Sequence, residues 1–185
     1  SVPPPPQETP PPCAAVLPRT RQLFRLPPAS QRTPPPCREA ELPLTVQDDD
    51  TLFVHASAND PGDWIYVTSE ASAMPSFRVS KARLIFCGHV HRPALYSCDL
   101  SGRVASHIVA AGNAAPLLKS RRWLAVIGSV GQPRDGSTLA SYAILDRTTN
   151  ELTFRKTGYD AATTARKTRE SGLPESLAQR LMKGI

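Results

Sequence analysis

The chain has 185 residues, a formal net charge of +6, 20 prolines, 4 cysteines and 4 histidines. That length fits one ordinary domain. No lysine-rich run or aromatic-interleaved basic patch stands out, so nucleic acid is not the expected partner. No apolar run approaches the roughly 18 residues a membrane helix needs, and no basic start followed by an apolar stretch marks a secretory signal. Cys13, Cys37, Cys87 and Cys98 show no paired zinc spacing and no disulfide framework, so a reducing, cytoplasmic setting is expected.

Thirteen of the 20 prolines fall within residues 1–40, together with five Arg, no Lys and only Glu8 and Glu39 as acids. Proline removes backbone donors and blocks helix interiors and central strands. With no apolar periodicity to bury, residues 1–41 are expected to be disordered or polyproline II. The foldable part is residues 42–185, where Cys87 reads as a small buried residue.

Thr51–Val54 forms a short β-rich run after the acids Asp48-Asp49-Asp50 and ends at His55. Asn59-Asp60-Pro61-Gly62 is a turn signal, and Asn59–Phe77 reads as a loop. Its Trp64, Tyr66 and Phe77 either pack that loop onto the core or stack on a base. Arg83–Cys87 predicts a buried strand that runs into Gly88-His89-Val90-His91. Ala94–Cys98 and Val104–Val109 predict a hairpin around Asp99-Leu100-Ser101-Gly102. Lys119-Ser120-Arg121-Arg122 reads as a solvated turn before a strand at Trp123–Ile127. A glycine-rich loop, Gly128-Ser129-Val130-Gly131-Gln132-Pro133-Arg134-Asp135-Gly136, follows. Ser141–Asp146 and Leu152–Lys156 pair around Arg147–Asn150. Two helices close the chain: Ala161–Glu170, capped by Asp160, and Pro174–Lys183, stopped by Gly184.

Three histidines, His55, His89 and His91, stand at or just after strand ends, where α/β folds collect ligands and metals. Residues two apart in extended chain point the same way, so His89 and His91 are expected to share one side while Val90 faces the core. Neutral imidazole suits zinc, iron, nickel and copper, and also occurs at manganese sites. Taken alone, the stretch is equally a strand-end turn with two surface histidines. His107 lies within an alternating strand and reads as structural.

Val54-His55-Ala56-Ser57, then Gly88-His89-Val90-His91-Arg92-Pro93, then the Gly128–Gly136 loop, in that order and spacing, resemble the carboxyl half of a calcineurin-like metallophosphoesterase. The closing Tyr159-Asp160, Gly172-Leu173-Pro174 and Leu177–Leu181 fit the same family. The resemblance covers residues 42–185. It implies an α/β fold, part of a four-layer α/β/β/α sandwich. It implies a two-metal site for Mn, Fe, Zn or Ni, with His55 and His89 on one ion and His91 on the other. The substrate it implies is a phosphate mono- or diester, attacked by metal-activated water. The glycine-rich loop reads as a tight connection between strands, with Arg134 in reach of substrate.

The family's Asp-x-His, Gly-Asp-x-x-Asp and Gly-Asn-His motifs do not occur in this sequence, and Val126-Ile127 stands where Asn-Pro usually precedes Gly-Ser. No bridging aspartate or general-acid histidine is therefore identified, and three imidazoles without a carboxylate bridge are expected to hold at most one ion, weakly. A truncated, weakly active or inactive copy is expected, with self-association through unpaired sheet edges. The composition of residues 1–41 matches an out-of-frame reading of a GC-rich gene. Translating the upstream DNA in all forward frames is expected to reveal the absent motifs. The alternative is a non-catalytic interaction protein that presents Pro3–Pro6, Pro10–Pro12 or Pro34–Pro36 to aromatic grooves.

Overall fold

The computed structural model describes residues 42–185. The Pro-rich segment, its polyproline runs, Cys13 and Cys37 lie outside the described residues, and so do the expectations placed on them. The elements are β1 (Thr45–Asp48), β2 (Thr51–Val54), α1 (Glu70–Val79), β3 (Leu84–Cys87), β4 (Ala94–Cys98), β5 (Val104–His107), β6 (Ala114–Pro116), β7 (Arg122–Val126), β8 (Ala140–Asp146), β9 (Glu151–Thr157), α2 (Ala161–Glu170) and α3 (Glu175–Lys183).

Two sheets result, one of six strands in the order β1-β2-β3-β7-β4-β5 and one of three in the order β6-β9-β8. In the larger sheet β2, β3 and β7 run parallel, and the remaining pairs are antiparallel. The near-continuous apolar runs of β3 and β7 take the central places, as strands covered on both faces do. Leu52, Val54, Ile85, Cys87, Leu124 and Val126 line one face, under Ala73 and Phe77 of α1. Leu84, Leu95, Trp123 and Ala125 line the other, against Leu117, Leu152 and Phe154. The fold is thus α/β, with a helix, a mixed sheet and a second sheet stacked in order. Helices α2 and α3 bury Ala165, Ala178 and Leu181. The backbone Gly136 N–H donates to the Gly184 carbonyl at 2.9 Å and ties α3 to the loop after β7.

Strands β1 and β6 and helix α1 fall where no element was expected. Helix α1 replaces most of the second half of the Asn59–Phe77 loop. Its Pro75 lies inside the helix and cannot donate to the carbonyl one turn back, which hides the helix from a periodicity reading. Two local devices compensate. Ser69 and Ser72 form a capping box at its start. At its end, Arg122 donates to the carbonyls of Phe77 at 2.6 Å, Ala82 at 3.0 Å and Ser80, and its guanidinium lies 5.4 Å from the Phe77 ring. The basic cluster is therefore not wholly a solvated turn. Arg122 satisfies carbonyls at the end of a helix, where a cation is favoured.

Cys87 and Cys98 are free and buried, and burial pushes the Cys87 thiol up to about 12. Of the three acids before β2, Asp50 is structural. Asp50 accepts from Arg83 at 2.6 Å, Arg147 at 3.0 Å and Thr51 at 3.1 Å. These bonds hold its carboxyl below the usual range despite the burial that opposes them.

Candidate metal centre

Because β2 and β3 are parallel with Phe53 level with Phe86, both strands deliver their next residues to one edge of the sheet. The Gly88 N–H donates to the His55 carbonyl at 2.9 Å. That bond extends the ladder one step past the strands and sets His55 beside His89. The rings then meet: His55 Nε2 lies 2.9 Å from His89 Nδ1.

The chain from 88 to 91 is not extended, contrary to the spacing argument. His89 and His91 both have φ of 62°, and the Val90 N–H closes a tight turn on the Gly88 carbonyl at 2.7 Å. Val90 does face the core, packed on the α1 side of the sheet. Left-handed backbone at two adjacent-but-one non-glycine residues is strained, and such strain concentrates at functional sites.

His91 Nδ1 lies 2.8 Å from the Gln132 carbonyl. A carbonyl only accepts, so Nδ1 carries the proton and a neutral ring keeps its lone pair on Nε2. This is the arrangement that prepares an imidazole for a metal. The glycine-rich loop is thereby joined to the histidines, and Arg134 N–H donating to the His91 carbonyl at 3.1 Å joins them again. The Arg134 side chain donates to Gln132 Oε1 at 3.0 Å, while its buried Nε has no partner. Burial lowers the pKa of His89, and the charges of His55, His91 and Arg134 lower it further. Burial likewise lowers His91, against the opposing bond to Gln132. His107 is remote in β5, where its ring meets Ser97 Oγ at 2.8 Å and packs 5.0 Å from Trp123.

Trp64 and Tyr66 close one flank. Trp64 is 4.7 Å from the His55 ring and 5.4 Å from the His89 ring, and Tyr66 is 4.5 Å from His89. Phe77 does not join them; it is buried in α1. The paired aromatics follow directly on the turn signal, but no periodicity points to the histidines as their target.

The donor set offers a single divalent cation two imidazoles. Nitrogens about 2.0–2.1 Å from a tetrahedral zinc are roughly 3.3 Å apart, so the 2.9 Å between His55 and His89 needs only a slight opening. Among the described residues no three His, Cys, Asp or Glu side chains converge tightly enough to hold an ion. Among the described residues no carboxylate bridges the histidines, and the Asp50 carboxylate is committed to arginines at the other end of β2.

The stacked sheets and the histidine-bearing edge of the parallel strands define a calcineurin-like metallophosphoesterase fold. A crystal structure of a metallophosphoesterase from Sphaerobacter thermophilus is 37% identical and superposes with a TM-score of 0.70 over 79% of this chain and 60% of its own. Uncharacterized protein MJ0912 of Methanocaldococcus jannaschii is 31% identical over 150 residues, 77% of this chain and 57% of that protein. The hypothetical protein PH1004 from Pyrococcus horikoshii OT3 has a TM-score of 0.56 at 18% identity, over 78% of this chain and 52% of its own, a likeness of fold alone. No protein-family model matches the chain. The chain therefore spans less than two thirds of the length of these relatives.

The glycine of Gly-His-x-His is not sterically demanded. A Cβ on Gly88 would meet only the His55 carbonyl, at an ordinary 3.7 Å. Gly88→Ala is expected to cost less than about 1 kcal/mol, a shift of under about 4 °C in the thermal midpoint. A calorimetric midpoint 10 °C lower would show that the backbone at this position is under more constraint.

Proposed function

We propose that the strand edge bearing His55, His89 and His91 serves metal-dependent hydrolysis of phosphate mono- or diesters. The observation that carries this reading is the His55–His89 pair at 2.9 Å beside a His91 whose Nε2 is left free by the Gln132 carbonyl. His55 and His89 are the residues to hold one divalent cation, Mn, Fe, Zn or Ni, with His91 next to them. When bound, such an ion lends Lewis-acid charge to a phosphoryl oxygen and lowers the pKa of its water.

The chain's own residues prepare the site in three ways. Burial keeps His89 and His91 neutral near pH 7, as ligation requires. The Gln132 carbonyl fixes the His91 ring. Arg134, pinned to Gln132 Oε1, places a guanidinium beside the histidines, suited to a phosphate dianion. No general acid and no metal-bridging carboxylate is assigned. Turnover by the described residues alone is accordingly expected to be weak.

The test is hydrolysis of p-nitrophenyl phosphate and its bis ester by the full chain, dialysed free of metal and reloaded with Mn2+ or Zn2+. The expected result is slow release of p-nitrophenol that requires the metal and is lost in His55→Ala. Turnover unchanged by chelator, or unchanged in His55→Ala, would overturn the reading.

A further inference from the structure

We infer that Trp64 and Tyr66 form an aromatic wall that holds the flat ring of an aryl or nucleoside phosphoester against the histidine pair. The inference rests on the phosphoesterase reading above and names the substrate class of that site. Trp64-Ile65-Tyr66-Val67 is divided sharply by burial. Val67 is 1% exposed and sits in the core, whereas Trp64 is 52%, Ile65 41% and Tyr66 48% exposed. Two large rings half turned to water side by side form a contiguous apolar patch, and such patches mark binding surfaces.

The rings are held in place rather than loosely splayed. Pro61–Asp63 forms a short 3-10 turn closed by the Asp63 N–H on the Asp60 carbonyl at 2.9 Å. Trp64 then takes φ of 52°, a conformation a bulky residue adopts only when its surroundings compel it. On the far side, the Thr68 N–H donates to Ser72 Oγ at 2.8 Å, inside the α1 capping box. Between these anchors the Trp64 ring packs on both His55 and His89, and the Tyr66 ring lies tilted by 30° over His89. The two rings therefore border the histidine pair, where a phosphoryl group would sit. A phosphoester with a planar aromatic group has its ring within reach of that wall; an alkyl phosphate has nothing to stack. Stacking on one such ring is expected to tighten binding about tenfold.

The left-handed backbone also supplies a clean variant. Glycine suits φ of 52° better than tryptophan does, so Trp64→Gly removes the ring while relieving the backbone. Binding of phenyl phosphate, adenosine 5′-monophosphate and glycerol 3-phosphate to the Mn2+-loaded full chain is measured by calorimetry. The expected result is that the two aromatic ligands bind about tenfold tighter than glycerol 3-phosphate. In Trp64→Gly with Tyr66→Ala the two aromatic ligands should fall to the glycerol 3-phosphate level, while Tyr66→Phe keeps the preference. A tighter grip on the nucleotide than on phenyl phosphate assigns a nucleobase; equal grip assigns a simple aryl group. Equal binding of all three by the unaltered chain, or equal loss of all three in the double variant, would overturn the aromatic wall alone. Failure of every ligand to bind the metal-loaded chain would overturn the phosphoesterase reading and the wall with it.

Discussion

His89→Ala is expected to lower the affinity of the chain for Zn2+ or Mn2+ by more than about 100-fold, since losing even a supporting partner of a ligand costs 10–100-fold. The ring meets His55 at 2.9 Å, and its removal leaves a single imidazole at that point. His107→Ala is the matching control, because that ring is engaged with Ser97 in β5. Titration calorimetry on dialysed protein reads both. The same experiment across pH has a definite sign. Protons compete with a cation for the ring only below its pKa, and burial, aided by the charges of His55, His91 and Arg134, lowers that of His89 below the ordinary 6.5. The gap in affinity between the unaltered chain and His89→Ala should therefore persist down to pH 6.5 and close only below it. A gap that closes above pH 7, or a variant that binds as tightly as its parent, would remove this histidine from the centre.

The histidine edge was legible because it depends on local signals. Apolar runs that end in His55 and Gly88-His89 mark strand ends, and parallel pairing puts strand ends of the same sense at one sheet edge. The conformation at the edge was not legible. Alternation of His89, Val90 and His91 reads as extended chain, but left-handed φ at both histidines accompanies a tight turn and, at His91, the tie of ring and carbonyl to a distant loop. Those partners, Gln132 and Arg134, are separated from His91 by β4 to β7, and no pattern within a window reaches that far. Helix α1 was hidden for the opposite reason. Its local signals are misleading, with Pro75 inside it, and burial of Ala73, Ser76 and Phe77 against the sheet overrides them. Arg122 shows the same limit: as sequence it is one of a basic cluster, and only the fold brings three carbonyls to it.

Gly128→Ala is expected to destabilise the chain by about 2–4 kcal/mol, the sum of a left-handed penalty and overpacking. Gly128 opens the glycine-rich loop at φ of 94°, and a Cβ there would lie 2.8 Å from Ser141 Cβ and 3.0 and 3.2 Å from Pro93 Cγ and Cδ. Carbon atoms pack at about 3.5–4.0 Å, so something must give. Neither neighbour is free to move. Ser141 is buried in β8 and its N–H donates to the Ser129 carbonyl at 2.8 Å; Pro93 follows directly on His91-Arg92. In calorimetry the loss corresponds to a midpoint lower by about 5–15 °C. Two neighbours separate the terms. A Cβ on Gly136 meets nothing within 4 Å but the residue has φ of 79°, so Gly136→Ala should pay the conformational term alone, about 1 kcal/mol. Gly131 has neither constraint, and Gly131→Ala should be close to neutral. Equal midpoints for the Gly128 and Gly136 variants would show that the close approach to Pro93 and Ser141 costs nothing. If the approach does cost, the damage reaches the candidate metal centre by a short route. Displacing Pro93 or the loop shifts either the backbone of His91 or the Gln132 carbonyl that fixes its ring, so Gly128→Ala should weaken metal binding while Gly131→Ala leaves it intact.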